Sequence, residues 1–239
     1  SDDDDYLKAF EKKLRPAAVA FAPDFVFVSA GFDAHENDTL GGMRVTTECF
    51  GKLTRIVKGI AEQFCKGRLV SVLEGGYGLT PEDCALTIRG AIEVGLTGGS
   101  IEDSTGHAAA PIHDIGLATE RVRAAVEAAR TSDVPFLLTA RSENFLHGRA
   151  DLADTIRRLQ AFQDAGADVL FAPGLRSAED IRAVTSSVDR PVNVVMGLKG
   201  VLFTVADLAE MGVRRISVGG SLARTAYGAM LRGAREIMA

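Results

Sequence analysis

From residue 68 onward the chain repeats one unit, a short apolar run followed by a helix-forming stretch. Three of the helix exits are spelled alike: Glu93-Val94-Gly95, Asp164-Ala165-Gly166 and Glu210-Met211-Gly212, each leading into an apolar run within a few residues. Glycine at that place supplies the left-handed residue that ends a helix and re-aims the chain. Strands alternating with helices, almost without hairpin signals, specify a parallel α/β sheet joined by right-handed crossovers. The regularity favours a TIM-like (β/α) barrel over an open sheet. The expected strands are 24–29, 68–73, 99–103, 135–141, 168–172, 190–195 and 214–218. Helices are expected at 6–14, 46–63, 81–94, 114–130, 151–164, 178–186, 204–210 and 222–238. That makes seven recognisable strands, one short of a closed barrel of eight. Either residues 17–21 supply a poor eighth strand, or two strands keep unpaired backbone groups. The second case calls for distortion of the ring or for pairing in a homo-oligomer.

A length of 239 residues suits one undivided barrel-like domain over 1–239. The net charge of −5, with no basic cluster, argues against nucleic acid as a partner. No apolar run is long enough to span a bilayer, so no membrane role is expected. The three cysteines Cys49, Cys65 and Cys84 form no CxxC and suit core or helix positions in a reducing, cytoplasmic setting. Asp2 to Asp5 reads as a solvated end, and a start without methionine reads as a processed, trimmed or engineered product.

The chemistry-bearing residues gather at strand ends. After the run 68–73 come Glu74, Gly75, Gly76 and Tyr77, then a helix start with Thr80 as N-cap and Pro81 at its first position. Asp33, Glu74, Glu102 with Asp103, and Glu143 follow successive strands, with Arg141 among them. In a parallel barrel such ends converge on one mouth. Thr139, Arg141 and Glu143 share a parity, as do Ser100 and Glu102, so each set can face inward together. Several carboxylates there suit Mg²⁺ that keeps part of its water, and Arg141 suits a carboxylate or phosphoryl oxygen. The same acids could instead cap helices and pair with nearby cations. Tyr77 could donate a hydrogen bond to a developing oxyanion. The four histidines have no metal-ligand spacing, and Ser217-Val218-Gly219-Gly220-Ser221 reads equally as a phosphate pocket or a plain helix entry.

Two family resemblances cover different parts. PDFVFVSAGFDAH at 23–35 and GRLVSVLEGGY at 67–77 resemble the C-terminal portion of histone deacetylases and acetylpolyamine amidohydrolases, over residues 1–79. That resemblance implies a zinc ligand at Asp33 and a carbonyl-polarising tyrosine at Tyr77. The Asp-x-His ligand pair and the paired catalytic histidines of that family are missing, so zinc and amide hydrolysis are not expected. Residues 74–239 resemble the isocitrate lyase and phosphoenolpyruvate mutase superfamily. The runs that carry the likeness are GGSIEDSTG at 98–106, LTARSENFL at 138–146, AGADVLFAPG at 165–174 and GVRRISVG at 212–219.

The second resemblance implies a Mg²⁺-dependent barrel that makes or breaks C–C or P–C bonds beside a carboxylate through an enolate. It assigns Glu102 and Glu74 to the metal shell, with Asp33 near the mouth, and Arg141 to the substrate carboxylate. Backbone N–H groups of Ser29, Ala30 and Gly31, together with Asn193, complete the substrate-binding set. Three departures weaken this. Val72 stands where that family has its direct metal-binding aspartate, residues 104–111 replace its gating loop, and its first strand is absent. The chain therefore reads as a chimera, natural or de novo, with a deacetylase-like βαβ segment at 1–79 and a lyase-like barrel segment at 80–239. Its expected function is a lyase-type barrel, impaired by the fusion, acting on a small carboxylate. The alternatives are a structural chimera without activity and an incomplete zinc amidohydrolase fragment.

Overall fold

The computed structural model describes residues 1–36, 42–75, 80–93, 95–133, 135–197 and 203–238, with the backbone alone at 29–30 and 70–75. Seven strands lie among them: β1 (Val26–Gly31), β2 (Leu69–Gly75), β3 (Gly98–Glu102), β4 (Leu137–Arg141), β5 (Val169–Phe171), β6 (Val192–Val195) and β7 (Arg215–Ser217). Every described strand pairing is parallel, as the alternation with helices requires. The helices are α1 (Asp3–Ala9), α2 (Arg15–Phe21), α3 (Thr47–Cys65), α4 (Pro81–Glu93), α5 (Ile115–Arg130), α6 (Leu152–Asp164), α7 (Ala178–Ser186), α8 (Val205–Glu210) and α9 (Ser221–Met238). Among the described residues no helix is long and apolar enough to cross a membrane.

Helix starts follow the side-chain chemistry. Thr46, Asp114, Asp151 and Ser177 each accept a hydrogen bond from the backbone N–H three residues on, at 2.9–3.1 Å. Thr80 with Asp83, and Thr204 with Asp207, form reciprocal pairs in which each side chain takes the other's N–H. Residues 17–21 are not a strand. They belong to α2, which continues α1 through a π-helical stretch, Phe10–Leu14, and ends at Ala22 with φ +49°. Alanines and a proline in the first turn favour that helix over an extended run. The eighth strand is therefore not found there.

The acidic start is structured rather than merely solvated. Asp2 caps α1, and the Asp3 carboxylate accepts from both the N–H and the hydroxyl of Thr46 at 2.7 Å. Those two bonds hold the Asp3 carboxyl below its usual range. They tie α1 to the start of α3, over a cluster of Ala34, Val45, Cys49 and Leu53 flanked by Leu7, Phe10 and Phe50. All three cysteines are buried on helices, and burial first, then the nearby Asp3 charge, pushes the Cys49 thiol up to about 11.

The chain packs as two compact units, Ser1–Leu138 and Thr139–Ala239, divided inside β4. In the first, β1 pairs with β2, α4 packs on α5, and Leu137 donates to the Thr97 carbonyl at 3.0 Å beside β3. In the second, the end of β4 pairs with β5, β5 with β6 and β6 with β7. Its core is built from Leu159 and Phe162 of α6, Leu170, Ile181, Val184, Val192 and Leu208, all buried. Each such side chain contributes about 1.5–3 kcal/mol by leaving water. The described residues of α9 include none that are buried, and Leu222, Tyr227 and Met230 on it are exposed.

A polar knot sits inside the second unit. The Asp154 carboxylate, 8% exposed, accepts from Arg158 Nε at 2.8 Å and Asn144 Nδ2 at 2.9 Å, and also pairs with Arg157. Asn144 also donates to Thr155 Oγ1 at 3.1 Å. Burial alone would raise the Asp154 carboxyl, but the bonds from Arg158, Asn144 and Arg157 outweigh it and hold it at about 2. A depressed carboxyl stabilises the fold above its unfolded value and loses that contribution as pH falls through the folded one. Stability of this unit is accordingly expected to drop by about 2 kcal/mol between pH 4 and pH 2 on account of Asp154. Urea titrations of wild type and Asp154→Asn across that window check it, since the variant's stability should lack this component of the slope.

Candidate functional site

In the first unit the expected site residues fall at the carboxyl ends of strands. Ser29, Ala30 and Gly31 end β1, facing Val72, Leu73 and Gly75 of β2. The register jumps between Ala30 and Gly31, which leaves Glu74 as the extra residue on β2. An added residue of this kind bends a strand and redirects its side chains, a device found beside active sites. A Cβ on Gly31 would lie 2.7 Å from Asp33 Oδ1, so a side chain cannot be added there without moving Asp33. Asp33 itself is exposed. Tyr77 lies outside the described residues, as does the turn 76–79.

Glu102 is half-buried at the end of β3, and its carbonyl accepts from the buried Arg121 at 2.6 Å. Asp103 beside it is 1% exposed and anchors a closed loop rather than a mouth. His113 N–H donates to the Asp103 carbonyl at 2.9 Å, and Thr105 bonds Pro111 and Ala110 at 2.9 and 2.6 Å. The segment 104–111 is thus stitched to itself. His107 within it is exposed.

Among the described residues, no three of His, Cys, Asp and Glu come together as a metal-binding group. Two of the acids expected at the strand ends have other surroundings. Asp103 is buried, and Glu143 is paired with Arg141. Glu102 ends β3, and Glu74 is the extra residue of β2. One or two carboxylates suffice for Mg²⁺, which keeps most of its water. Zinc needs three or four protein ligands, and no such group is found among the described residues.

The second unit assembles more. Arg141, Phe171, Asn193 and Arg215 stand in register across β4, β5, β6 and β7, one row on neighbouring strands. In-register residues of parallel strands share a face. Arg141, half-buried, donates from Nη2 and Nε to Glu143 Oε1 at 2.7 and 2.9 Å, and its guanidinium lies 5.1 Å from the Phe171 ring centre. Glu143 is 4% exposed, so this ion pair lies largely out of water and fixes the guanidinium plane. Asn193, 1% exposed, donates to Ser217 Oγ at 3.0 Å and accepts from Arg215 Nε at 3.0 Å. Arg215 Nη1 reaches Thr139 Oγ1 at 2.9 Å. In a flat sheet β4 and β7 would lie about 14 Å apart, so this bond requires the strands to curve around the row. Surrounding protein lowers the Arg215 guanidinium below its ordinary value although the side chain keeps solvent contact.

Arg215 was not among the residues expected from sequence. The available signal was its shared parity with Ser217 on a short strand, obscured by the adjacent Arg214. Residues 217–221 prove to be a bonded helix entry. Ser221 Oγ donates to the Met196 carbonyl at 3.2 Å and accepts from Arg224 at 2.9 Å, while Ser217 accepts from Asn193. A row of two guanidinium groups, one balanced by Glu143 and one held by neutral partners, can bind an anion.

Comparison with known proteins follows the same division. A histone deacetylase domain model matches residues 1–90, and a phosphoenolpyruvate phosphomutase model matches residues 49–238. The two overlap across most of α3, all of β2 and most of α4. Histone deacetylase 9 of Homo sapiens is 50% identical over 80 residues, which is 33% of this chain and 8% of that protein. The chain spans 4% of the length of type-2 histone deacetylase 2 of Dictyostelium discoideum and 16% of histone deacetylase 14, chloroplastic, of Arabidopsis thaliana. A solved Burkholderia cenocepacia J2315 protein assigned to the lyase/mutase class is 42% identical, with TM-score 0.72, covering 94% of this chain and 79% of that one. Phosphonopyruvate hydrolase in complex with oxalate and Mg²⁺ shares the fold at 19% identity and TM-score 0.64, covering 100% of this chain and 87% of that one. With its parallel α/β order and residues 49–238 matched, the chain belongs to the phosphoenolpyruvate phosphomutase family.

Proposed function

We propose that this chain is a Mg²⁺-dependent lyase-type enzyme that makes or breaks a C–C or P–C bond beside the carboxylate of a small 2-oxo or 2-hydroxy acid, at a rate reduced by its substituted front segment. The observation that carries this reading is the half-buried Arg141, fixed by Glu143 and Phe171 at a strand end. In it, Arg141 takes the substrate carboxylate. Tyr77 donates to the oxygen on which negative charge develops. Glu102 and Glu74 would hold the hydrated cation, with Asp33 as an outer carboxylate, and bound Mg²⁺ would supply positive charge beside that oxygen. With Val72 in place of an acid, metal retention is expected to be weak. A cytoplasmic homo-oligomer belongs to the same proposal.

Oxalate, the ligand present with Mg²⁺ in the solved hydrolase, is the probe. Calorimetric titration is expected to show oxalate binding with Mg²⁺ present, weakened about ten-fold or more by chelation and by Glu102→Gln. Absence of oxalate binding under either condition would remove the proposal. A catalytically silent chimera is the second reading, favoured by Val72 and by the seven described strands. Bond cleavage above the level of a Glu102→Ala control would defeat it.

A further inference from the structure

Behind the end of β3 lies a charged side chain to which the proposed reaction assigns nothing. Arg121 projects from α5, is 4% exposed, and donates from Nη1 to the Glu102 backbone carbonyl at 2.6 Å. An arginine is rarely hidden to this extent, because its charge gives up water on burial. The same guanidinium hydrogen-bonds the side chain of Cys84 on α4, itself 3% exposed. Burial raises the Cys84 thiol above its usual range, and the Arg121 charge opposes that shift without reversing it. Arg121 therefore joins α4, α5 and the last residue of β3 at one point.

The alternation along β3 shows how that junction bears on Glu102. A Cβ on Gly99 would lie 3.2 Å from Phe136 Cζ and 3.7 Å from Ile88 Cδ1 of α4, and Ile101 is buried. Gly99 and Ile101 thus face the packed layer, and Glu102 has the opposite parity. The bond from Arg121 acts on the backbone that carries its side chain. The Glu102 carbonyl belongs to the peptide that opens the following loop, and the next carbonyl, of Asp103, accepts from His113 N–H at 2.9 Å. Two successive peptides are pinned where the strand ends. A bond from a charged donor is about twice as strong as a neutral one, so the first pin is the firmer. A hydrated Mg²⁺ held by one or two carboxylates has no full cage to correct a misaimed ligand, so the aim of each carboxylate sets its affinity.

We propose that Arg121 is a positioning residue for Glu102, holding the end of β3 so that the carboxylate meets a divalent cation at one fixed angle, with Cys84 fixing Arg121 in turn. This rests on the function proposed above, in which Glu102 is a cation donor.

The Mg²⁺ concentration giving half-maximal oxalate binding is measured by calorimetry on the full-length chain. Oxalate affinity at saturating Mg²⁺ and the melting temperature are recorded beside it. Arg121→Met is expected to raise that Mg²⁺ concentration about 10- to 100-fold, while oxalate affinity at saturating Mg²⁺ changes less than about three-fold. Arg121→Lys, which keeps the charge but loses the planar fork, should recover part of the loss. Cys84→Ala, which removes one anchor and leaves the carbonyl bond, should raise the Mg²⁺ concentration by a smaller factor, about three-fold. A parallel loss in both oxalate measurements would mark Arg121 as a purely structural residue and overturn the inference. An unchanged Mg²⁺ requirement in folded Arg121→Met would also overturn it and leave the proposed function standing. Wild type that binds no oxalate, or binds it equally without Mg²⁺, would overturn both. Should Arg121→Met not fold, Arg121→Lys and Cys84→Ala decide, an unchanged Mg²⁺ requirement in both overturning the inference.

Discussion

Replacement of Asp154 by alanine is expected to destabilise the second unit by about 3–5 kcal/mol. The carboxylate is the common acceptor for Arg158, Arg157 and Asn144, and Arg158 is itself only 4% exposed. Removing it takes from the buried Arg158 the acceptor of its Nε, and it strands an Asn144 whose Oδ1 is already without a hydrogen-bond partner. Arg157, largely in solvent, should contribute little, because exposed pairs are worth well under 1 kcal/mol at ordinary salt. In a chain of this size the loss corresponds to a fall in melting temperature of about 10 °C. Arg157→Ala is the contrasting control and should shift it by no more than about 2 °C. Calorimetry on both variants decides the matter. Equal shifts would show that the buried half of the network does not carry the stability assigned to it. Asp154→Ala with Arg158→Met should recover much of the loss, because a buried ion pair exchanged for apolar packing is often close to neutral.

Arg141→Ala is expected to weaken oxalate binding at least 100-fold. A bidentate guanidinium–carboxylate contact comprises two charge-assisted hydrogen bonds of about 1.5–3 kcal/mol each, and both disappear. A second effect runs the same way. Glu143 is 4% exposed, and without its partner it places a buried negative charge beside an anionic ligand. The double variant Arg141→Ala with Glu143→Gln separates the two contributions, because it removes the repulsion without restoring the clamp. Affinity partly regained in the double variant would assign the difference to Glu143. Arg141→Lys should lose about ten-fold, since a lysine keeps the charge but cannot present a planar fork or stack on Phe171. Oxalate affinity unaltered in Arg141→Ala would mean the anion binds elsewhere, and the functional reading would fall with it.

Much of the architecture was legible in the residues, for local reasons. Helix starts at Thr46, Thr80, Asp114, Asp151, Ser177 and Thr204 are short-range hydrogen-bond events between side chains and N–H groups three residues away. The parallel strand order follows from the alternation of elements. Two local readings failed. Residues 17–21 are helical because α2 continues a helix already begun at Asp3, a context that a strand-like apolar run does not reveal. The acidic start was read as solvated because the partner of Asp3, Thr46, is far along the chain.

The site divides along the same line. Arg141 and Glu143 share a parity two residues apart, so their alignment was available from the sequence, although their ion pair was not. The pairing occupies an acid that had been a candidate for a cation, because a buried carboxylate already satisfied by a half-buried arginine gains little by exchanging it for a hydrated ion. Spacing offered no more for Arg215 than its parity with Ser217, since its partners Thr139 and Asn193 lie 76 and 22 residues away in the chain. By itself, the sequence determined which stretches become strands and helices, how the strands run, and which two families the segments resemble, because those properties depend on neighbours within a few residues. Only the tertiary structure decided which charges meet and which arginine is left with neutral partners, because strand register and curvature set those distances and no local pattern encodes them.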